Sequence, residues 1–246
     1  MDRIKNEILF FFQDLGFEEK THKYYVKGEP LSKSVSRLIK EFVKYTDFKQ
    51  IALATDKRDD LPPGTTSIFW NNKSQVSLAK GNKAHFFGEM YAFRRNLKPT
   101  CGYERAIVKF WDELPAHIIP VFTELKMYHK LYMFGGMKDI TLYNTKTQKF
   151  IIGDYKTNED LFKNFNEKKL TKAFSNYLDH PFNHYQIQFS FYQILFEQTG
   201  YEVEGRVLIH LKPDGTYDMY DTEDLTETLN KFLKTYYHGK QIKSIS

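Results

Sequence analysis

The sequence predicts an α/β fold in which a mixed β-sheet is flanked by helices and preceded by an α-helical N-terminal segment. Two observations lead to this prediction. Up to about residue 115, apolar residues recur mostly at helical spacing, whereas three strand-like segments follow Pro115 and are in turn followed by helices, a hairpin and a last helix. No repeat or low-complexity linker divides the chain, so we predict one domain, 1–246, with a mainly helical part (1–115) and an α/β part (116–246).

The helical part begins with a ribbon that contains a strand at 23–27. Ser32 or Ser34 is placed to cap a helix that runs to about Tyr45, because its apolar residues share one face. The segment 56–66 combines charges with two prolines and a glycine, which predicts a loop. Two further helices are predicted, at 68–95 and 103–114.

The α/β part alternates between the two patterns. Strands are predicted at 118–126, 132–143 and 150–156, and helices at 161–178 and 182–198. Pro213-Asp214-Gly215 is a turn signal that joins strands at 205–212 and 216–220 into a hairpin. A last helix is predicted at 224–236.

Composition and charge limit the possible functions only loosely. The formal net charge of +5 is compatible with a polyanionic partner but is also typical of a solvated, lysine-rich surface. Cys101 is the only cysteine, which excludes an intramolecular disulfide and an all-cysteine metal or iron–sulfur site. Neither a signal peptide nor an apolar stretch of about 20 residues is recognisable, so we expect an intracellular, cytoplasmic protein without a membrane span.

Two carboxylates are predicted to face each other on neighbouring strands. If residues 144–149 form the hairpin turn, Tyr143 pairs with Phe150, and counting back places Asp139 opposite Asp154. Because side chains alternate along a strand, Lys156 projects from the same face as Asp154. Two acids among apolar residues need a compensating cation, which is either Lys156 or a divalent ion such as Mg²⁺ or Mn²⁺. A structural ion pair between Asp154 and Lys156 explains the spacing equally well.

Several short motifs occur in a fixed order along the chain. Gly136-Met137-Lys138-Asp139 is followed fifteen residues after its Asp by Asp154-Tyr155-Lys156, and Gln188 and Tyr192 lie one turn apart on the next predicted helix. Upstream stands Gly81-Asn82-Lys83-Ala84-His85. Together these motifs resemble those of the PD-(D/E)xK nuclease superfamily, in its RecB-like exonuclease branch. The segment 31–42 and Trp70 are also similar to phage-type and mitochondrial genome-maintenance-type exonucleases.

The resemblance covers about residues 25–192, with long unmatched intervals, and departs from the family pattern in two respects. The leading proline of the family is missing near Gly136, as is common in the RecB-like branch. The four cysteines that hold an iron–sulfur cluster in some members are also absent, so no cluster is expected.

The resemblance implies a restriction-endonuclease-like core and a Mg²⁺- or Mn²⁺-dependent deoxyribonuclease. It would be an exonuclease on single-stranded or free DNA ends in replication, repair or recombination. It further implies that His85, Asp139, Asp154 and the carbonyl of Tyr155 bind the metal, and that Lys156 orients a water or stabilises negative charge. Residues 1–115 would then carry the histidine motif and DNA contacts, and residues 116–246 the catalytic core.

Other residues are weaker candidates. Glu124, on the strand before Gly136, and Gln188 and Tyr192 are secondary site residues, while Glu89 either orients His85 or is a solvated charge. A larger set of polar and aromatic residues could contribute to a DNA groove: Ser34, Arg37, Trp70, Lys73, Lys80, Lys83, Arg94 and Arg95.

Two other functions remain open from the sequence. The first is a non-catalytic nucleic-acid-binding module on a nuclease fold. The second is a thiol hydrolase that uses Cys101 with Asp112 and His117, which are close to it only in sequence.

Overall fold

A mixed β-sheet of six strands, with helices packed on both faces, organises the part of the chain that the structure describes. This computed structural model describes residues 1–18, 20–21 and 23–243, with side chains up to residue 238. The α-helices are α1 (Asp2–Phe11), α2 (Val35–Ile39), α3 (Phe48–Arg58), α4 (Thr65–Tyr91), α5 (Gly102–Glu113), α6 (Pro181–Glu197) and α7 (Thr226–Lys243). The strands are β1 (Leu15–Glu18), β2 (Lys23–Val26), β3 (Glu29–Pro30), β4 (Lys33–Ser34), β5 (Ile118–Tyr128), β6 (Phe134–Asn144), β7 (Lys149–Lys156), β8 (Val203–Leu211) and β9 (Tyr217–Asp221).

The strand order and directions confirm the predicted mixed sheet. The order is β4-β6-β7-β8-β9. Strands β4 and β7 pair with different parts of one edge of β6, and β5 pairs with its opposite edge. The β4–β6 and β7–β8 pairs are parallel, whereas β5–β6, β6–β7 and β8–β9 are antiparallel. Strands β1 to β3 form a separate small antiparallel sheet after α1. The α/β class with an N-terminal helical segment is therefore confirmed.

Most predicted strands and long helices occur within a few residues of their expected bounds. The helix at 182–198 is α6, which is buried on nearly all sides, as expected for a helix with apolar residues around its whole circumference. The hairpin around Pro213-Asp214-Gly215 joins β8 to β9. Ser34 caps α2 by accepting a hydrogen bond from the Arg37 amide at 3.3 Å, but this helix ends at Ile39 and continues only as a 3-10 turn (Lys40–Phe42).

The predicted helix at 161–178 is wrong. This segment is irregular, apart from a 3-10 turn at Lys172–Phe174. The Asn164 side chain accepts from the amide of Lys168 at 3.0 Å and donates to its carbonyl at 2.8 Å. Asn166 and Glu167 adopt positive φ angles of 58° and 48°. These side-chain bonds to the backbone replace the helical ones, which is the competition expected of asparagine.

The sequence prediction also misses two helices. The chain starts with α1, which precedes the ribbon, and α3 begins where Asp47 accepts from the Gln50 amide at 3.0 Å. The end of α3 extends into the predicted loop 56–66. There the buried Asp56 accepts from the amides of Gly64 and Thr66 at 2.7 and 2.8 Å, so it fixes the start of α4.

Helix α4 contacts α3 at its start, and packs on α5 and the main sheet through its C-terminal third. Its buried residues are Thr66, which lies next to α3, and then Ala84, Gly88 and Tyr91. Residues 68–80 are all exposed. No helix in the described ranges is both long and apolar enough to cross a membrane.

Glu41 joins four elements, and its removal is expected to weaken the fold. Its carboxylate accepts from Lys33 of β4 at 2.5 Å, from Lys172 at 2.9 Å and from the Tyr236 hydroxyl of α7 at 3.2 Å. The hydrogen bonds from the two lysines outweigh burial and lower the pKa of Glu41 to about 2.

We therefore expect Glu41→Gln to lower the free energy of unfolding by about 1–2 kcal/mol at pH 7, after allowance for solvent screening. Since the folded pKa lies below the unfolded value, this stabilisation is present above about pH 5 and is lost toward pH 2. Urea unfolding of both proteins at pH 7 and pH 3.5 tests this. An equal difference at the two pH values would contradict it.

Candidate metal centre

Strands β6 and β7 separate at the position where the sequence places the two aspartates. Their ladder runs from Asn144↔Lys149 through the predicted Tyr143↔Phe150 pair to Ile140↔Gly153. The next step in this register is Asp139 opposite Asp154, but the ladder stops there, and the first residues of β6 pair with β4 instead. The two acids therefore lie at the mouth of a split between strands, where side chains from other elements can reach them.

His85 of α4 completes a cluster with these acids. One ligand atom from each of His85, Asp139 and Asp154 lies within 4.8 Å of the other two. Nδ1 of His85 contacts Oδ2 of Asp139 directly. Ligands of one Mg²⁺ ion, each at about 2.1 Å, lie at most about 4.2 Å apart. The three side chains therefore fit a single divalent cation after movements of a few tenths of an ångström.

Two carboxylate oxygens in this cluster lack hydrogen-bond donors among the described residues. They are Oδ2 of Asp139, whose contact with His85 is a charge contact without hydrogen-bond alignment, and Oδ1 of Asp154. Asp154 is only 3% exposed. Buried polar atoms are nearly always paired in folded proteins, so two unpaired oxygens at one point fit ligands for a cation.

The pKa values of the two acids are shifted in opposite directions, so over a range of pH Asp154 holds a proton while Asp139 is ionised when no cation is bound. Burial, followed by the nearby Asp139, raises the pKa of Asp154 well above its ordinary value. Burial also opposes ionisation of Asp139, but the hydrogen bond with Asp154 and the charge of His85 outweigh it and lower the pKa of Asp139. A divalent cation can take the place of this proton, because metal ligands must be deprotonated.

Lys156 lies beside Asp154 and keeps its charge. Its Nζ donates to Oδ2 of Asp154 at 2.5 Å and lies 4.7 Å from the centre of the Tyr185 ring. Burial acts to lower the pKa of Lys156, but attraction to Asp154 and Asp139 is stronger and raises it. In the same way, the two acids outweigh burial and raise the pKa of His85.

The secondary candidates lie at different distances from this cluster. Glu124 is exposed and falls opposite Asp139 in the β5–β6 register, where it has a positive φ of 49°. Partial burial of its carboxyl group and the charges of Glu89 and Asp139 raise its pKa. Its exposed side chain lies at the rim of the cluster. Among the described contacts, no hydrogen bond joins Glu89 to His85.

Gln188 and Tyr192, on α6, contact each other, and Tyr192 also contacts Gly136 of β6. The Gln188 Nε2 donates to the Tyr192 hydroxyl at 3.2 Å, while its Oε1 lacks a donor among the described residues. Tyr192 is 5% exposed and packs on Gly136, where an added Cβ would lie 2.9 Å from its ring. Neither residue makes a hydrogen bond to Lys156 in the described part of the chain, and metal ligation by the Tyr155 carbonyl stays a prediction.

Tyr185, which no motif in the sequence marks, is a neighbour of Lys156. Tyr185 precedes Gln188 by three residues, so the two share a helix face, and this spacing was a usable signal. Its hydroxyl donates to the Asn158 side chain at 2.8 Å.

A cleft of 760 Å³ opens from His85 and Lys156 between α4 and the chain that follows β7. It is lined by basic and aromatic side chains, namely Lys73, Lys80, Lys163, Tyr103, Phe165 and Tyr185, together with Glu159 and Asp160. Lys73 Nζ reaches Glu159 across it at 3.2 Å.

Only two of the predicted groove residues, Lys73 and Lys80, line this cleft. Ser34 and Arg37 line a different pocket beside the ribbon. Lys83 pairs with Glu104 at 3.6 Å. Arg95 stacks on the Trp111 ring at 4.3 Å.

The residues of the alternative thiol site do not converge. Cys101 precedes α5 and Asp112 is near its end, so the helix holds them about 16 Å apart along its axis.

No model of a known protein family matches this chain, and no curated protein matches its sequence.

Proposed function

We propose that this protein is a Mg²⁺- or Mn²⁺-dependent nuclease that hydrolyses phosphodiester bonds in DNA, built on a restriction-endonuclease-like core. The observation that carries the proposal is the convergence of His85, Asp139 and Asp154 on one point, with two carboxylate oxygens that lack donors and a charged lysine beside them. The two carboxylates are the kind of ligand that Mg²⁺ and Mn²⁺ prefer.

A structural ion pair explains less of this arrangement. A pair between Asp154 and Lys156 accounts for one acid and one base, but does not explain why the half-buried Asp139 and His85 converge on the same point. Gathering two acids in a poorly hydrated place is unfavourable unless a cation binds there. The metal site is therefore the better account.

Each residue has a separate task in hydrolysis. The divalent ion, when bound, lowers the pKa of a water and neutralises charge on the phosphate. His85, Asp139 and Asp154 hold the ion at the mouth of the strand split. Lys156, which remains protonated, orients the attacking water or stabilises the negative charge that develops on the phosphate oxygens.

The cleft supports a polyanionic substrate. From Thr65 to Gly88, α4 contains Lys73, Lys80 and Lys83 and no acidic residue. Lysines attract phosphates, and aromatic rings such as Phe165 and Tyr103 can stack on bases that are not paired. Exonuclease action on single-stranded or free DNA ends in replication, repair or recombination rests on the family resemblance.

The test uses DNA labelled at the 5′ or the 3′ end, offered as linear single strands, duplexes and closed circles, with Mg²⁺, Mn²⁺ or EDTA. We expect linear DNA to be degraded with either ion and to stay intact in EDTA, and an intact circle would identify an exonuclease. DNA binding without cleavage under every metal condition would refute the proposal and favour the non-catalytic binding module.

The basic wall of the cleft yields a separate prediction. We expect the double substitution of Lys80 and Lys163 by Ala to raise KM for DNA roughly tenfold and to leave kcat nearly unchanged, because these lysines contact phosphates away from the reacting one. Each lost contact should reduce the slope of log K against log salt by about 0.7 on a single strand. Lys146→Ala, in the exposed turn at the far end of the hairpin, is the control. A fall in kcat at constant KM would contradict this role.

A further inference from the structure

The position of His85 depends on how closely α4 approaches the sheet. Along the C-terminal part of α4, Gly81, Ala84, Gly88 and Tyr91 recur at intervals of three and four residues, so they share one face of the helix. Ala84, Gly88 and Tyr91 are the buried residues of this part. His85 lies within about one turn of Gly81, Ala84 and Gly88, and any displacement of this face therefore moves the imidazole.

At Gly88 the helix backbone lies directly on the ring of Tyr155. A Cβ atom added to Gly88 would lie 2.4 Å from Cε2 of Tyr155 and 3.0 Å from its Cδ2. Real side chains do not approach so closely, so either the ring or the helix would have to move. At Gly81, about two turns nearer the start of α4, an added Cβ would lie 3.5 Å from Oγ1 of Thr157, which is an ordinary contact distance.

The Tyr155 ring has little freedom to retreat. It is 1% exposed, and its hydroxyl accepts a hydrogen bond from Nε1 of Trp111 at 2.8 Å. Phe110 packs against it edge to face, with ring centres 6.2 Å apart. The ring of His85 contacts it in the same manner, also at 6.2 Å. The tyrosine ring is thus held by Trp111 and Phe110 of α5 on one side and contacts α4 on the other.

We propose that Gly88 is a positioning residue for the metal centre. Because it lacks a side chain, α4 rests on the Tyr155 ring at the distance that brings Nδ1 of His85 to Asp139 and within reach of Asp154. A mid-helix glycine costs about 1 kcal/mol relative to alanine. In return it allows the close approach that completes the ligand set. This inference rests on the proposed metal site.

The test measures Mn²⁺ affinity without substrate, by electron paramagnetic resonance of free Mn²⁺, for the wild type, Gly88→Ala and Gly81→Ala. We expect Gly88→Ala to bind Mn²⁺ on the order of 10-fold or more weakly, since displacing the supports of metal ligands costs 10- to 100-fold. Gly81→Ala makes the same chemical change on the same helix and should bind as the wild type does. Nuclease activity of Gly88→Ala should recover in part at saturating Mn²⁺.

A double-mutant cycle separates positioning from general destabilisation. Replacement of Tyr155 by Leu removes the ring that Gly88 contacts, so Gly88→Ala should then change Mn²⁺ affinity by less than about twofold. Tyr155→Phe is the second variant, to be used if Gly88→Ala does not fold. It loses only the hydrogen bond to Trp111, and we expect it to bind Mn²⁺ several-fold more weakly than the wild type. The inference is overturned if Gly88→Ala folds and binds Mn²⁺ as tightly as the wild type does. If only Tyr155→Phe folds, unchanged Mn²⁺ affinity of that variant overturns it in the same way. A wild type that binds no Mn²⁺ overturns the proposed function itself.

Discussion

Replacement of Asp154 by Asn is expected to lower DNA hydrolysis on the order of 10³-fold or more while leaving the metal-free protein folded and slightly more stable. The loss of activity follows because Asn cannot supply the anionic ligand that the proposed ion needs, and because Lys156 loses the partner that holds it in place. The control is Asp112→Asn, which changes an exposed aspartate on α5 and should not alter activity.

Asp154→Asn is expected to stabilise the metal-free protein although it lowers activity, and the reason is electrostatic. Burial and the neighbouring Asp139 raise the pKa of Asp154 in the folded protein well above the value that this carboxyl has in the unfolded chain. Folding therefore becomes less favourable as the pH rises from the ordinary pKa of an aspartate toward the folded one. A neutral Asn avoids this cost. We expect the melting temperature without metal to rise by about 2–4 °C, the shift that 1 kcal/mol gives in a chain of this size.

Addition of Mn²⁺ should reverse the order of the two proteins. A ligand that binds only the folded state stabilises it in proportion to the logarithm of its concentration over Kd, so wild type gains stability and Asp154→Asn does not. Thermal melts with EDTA and with increasing Mn²⁺ measure both effects. Equal Mn²⁺-induced shifts in the two proteins, or retained hydrolysis by the variant, would show that Asp154 is not a ligand.

The central pair of acids was predictable because it depends on local rules. The turn at 144–149 and the strict alternation of a strand determine the register, and both are legible in the sequence. From the residues alone, however, the pair could be an ion pair or a metal site. The structure adds the split between β6 and β7 and the unpaired oxygens, neither of which a pairing rule contains.

The remainder of the site depends on contacts between distant segments. His85 was identified through a resemblance, but its contact with Asp139 requires α4 to lie on Tyr155, which no local pattern specifies. The wrong helix at 161–178 shows the limit in the other direction. Its apolar spacing favoured a helix, yet the Asn164 side chain bonds to the backbone of Lys168, and Asn166 and Glu167 leave the helical conformation.

Lys138, the neighbour of Asp139 in the sequence, is fully buried and has no hydrogen-bond partner for its Nζ among the described residues. Its only described compensation is the face of the Phe196 ring, whose centre lies 4.1 Å away. Burial lowers its pKa well below the ordinary value. A buried amine without a partner is costly whether it is charged or neutral, so this position is a weak point of the core.

We expect Lys138→Met, which keeps the length of the side chain and removes the amine, to raise the free energy of unfolding by about 1–3 kcal/mol at pH 7. Because the folded protein binds fewer protons at this position than the unfolded chain does, wild-type stability should rise with pH in the window between the lowered pKa and about 10.5. The rise is up to about 1.4 kcal/mol per pH unit. The advantage of Lys138→Met should therefore shrink between pH 7 and pH 9.5 in urea unfolding.

The control is Lys126→Met, on the neighbouring strand β5. Lys126 is half-buried, and this substitution should change stability by no more than about 0.5 kcal/mol at either pH. If Lys138→Met is less stable than the wild type, the amine has a partner in the folded protein. The charge of Lys138 would then contribute to the electrostatics of the cluster around Asp139.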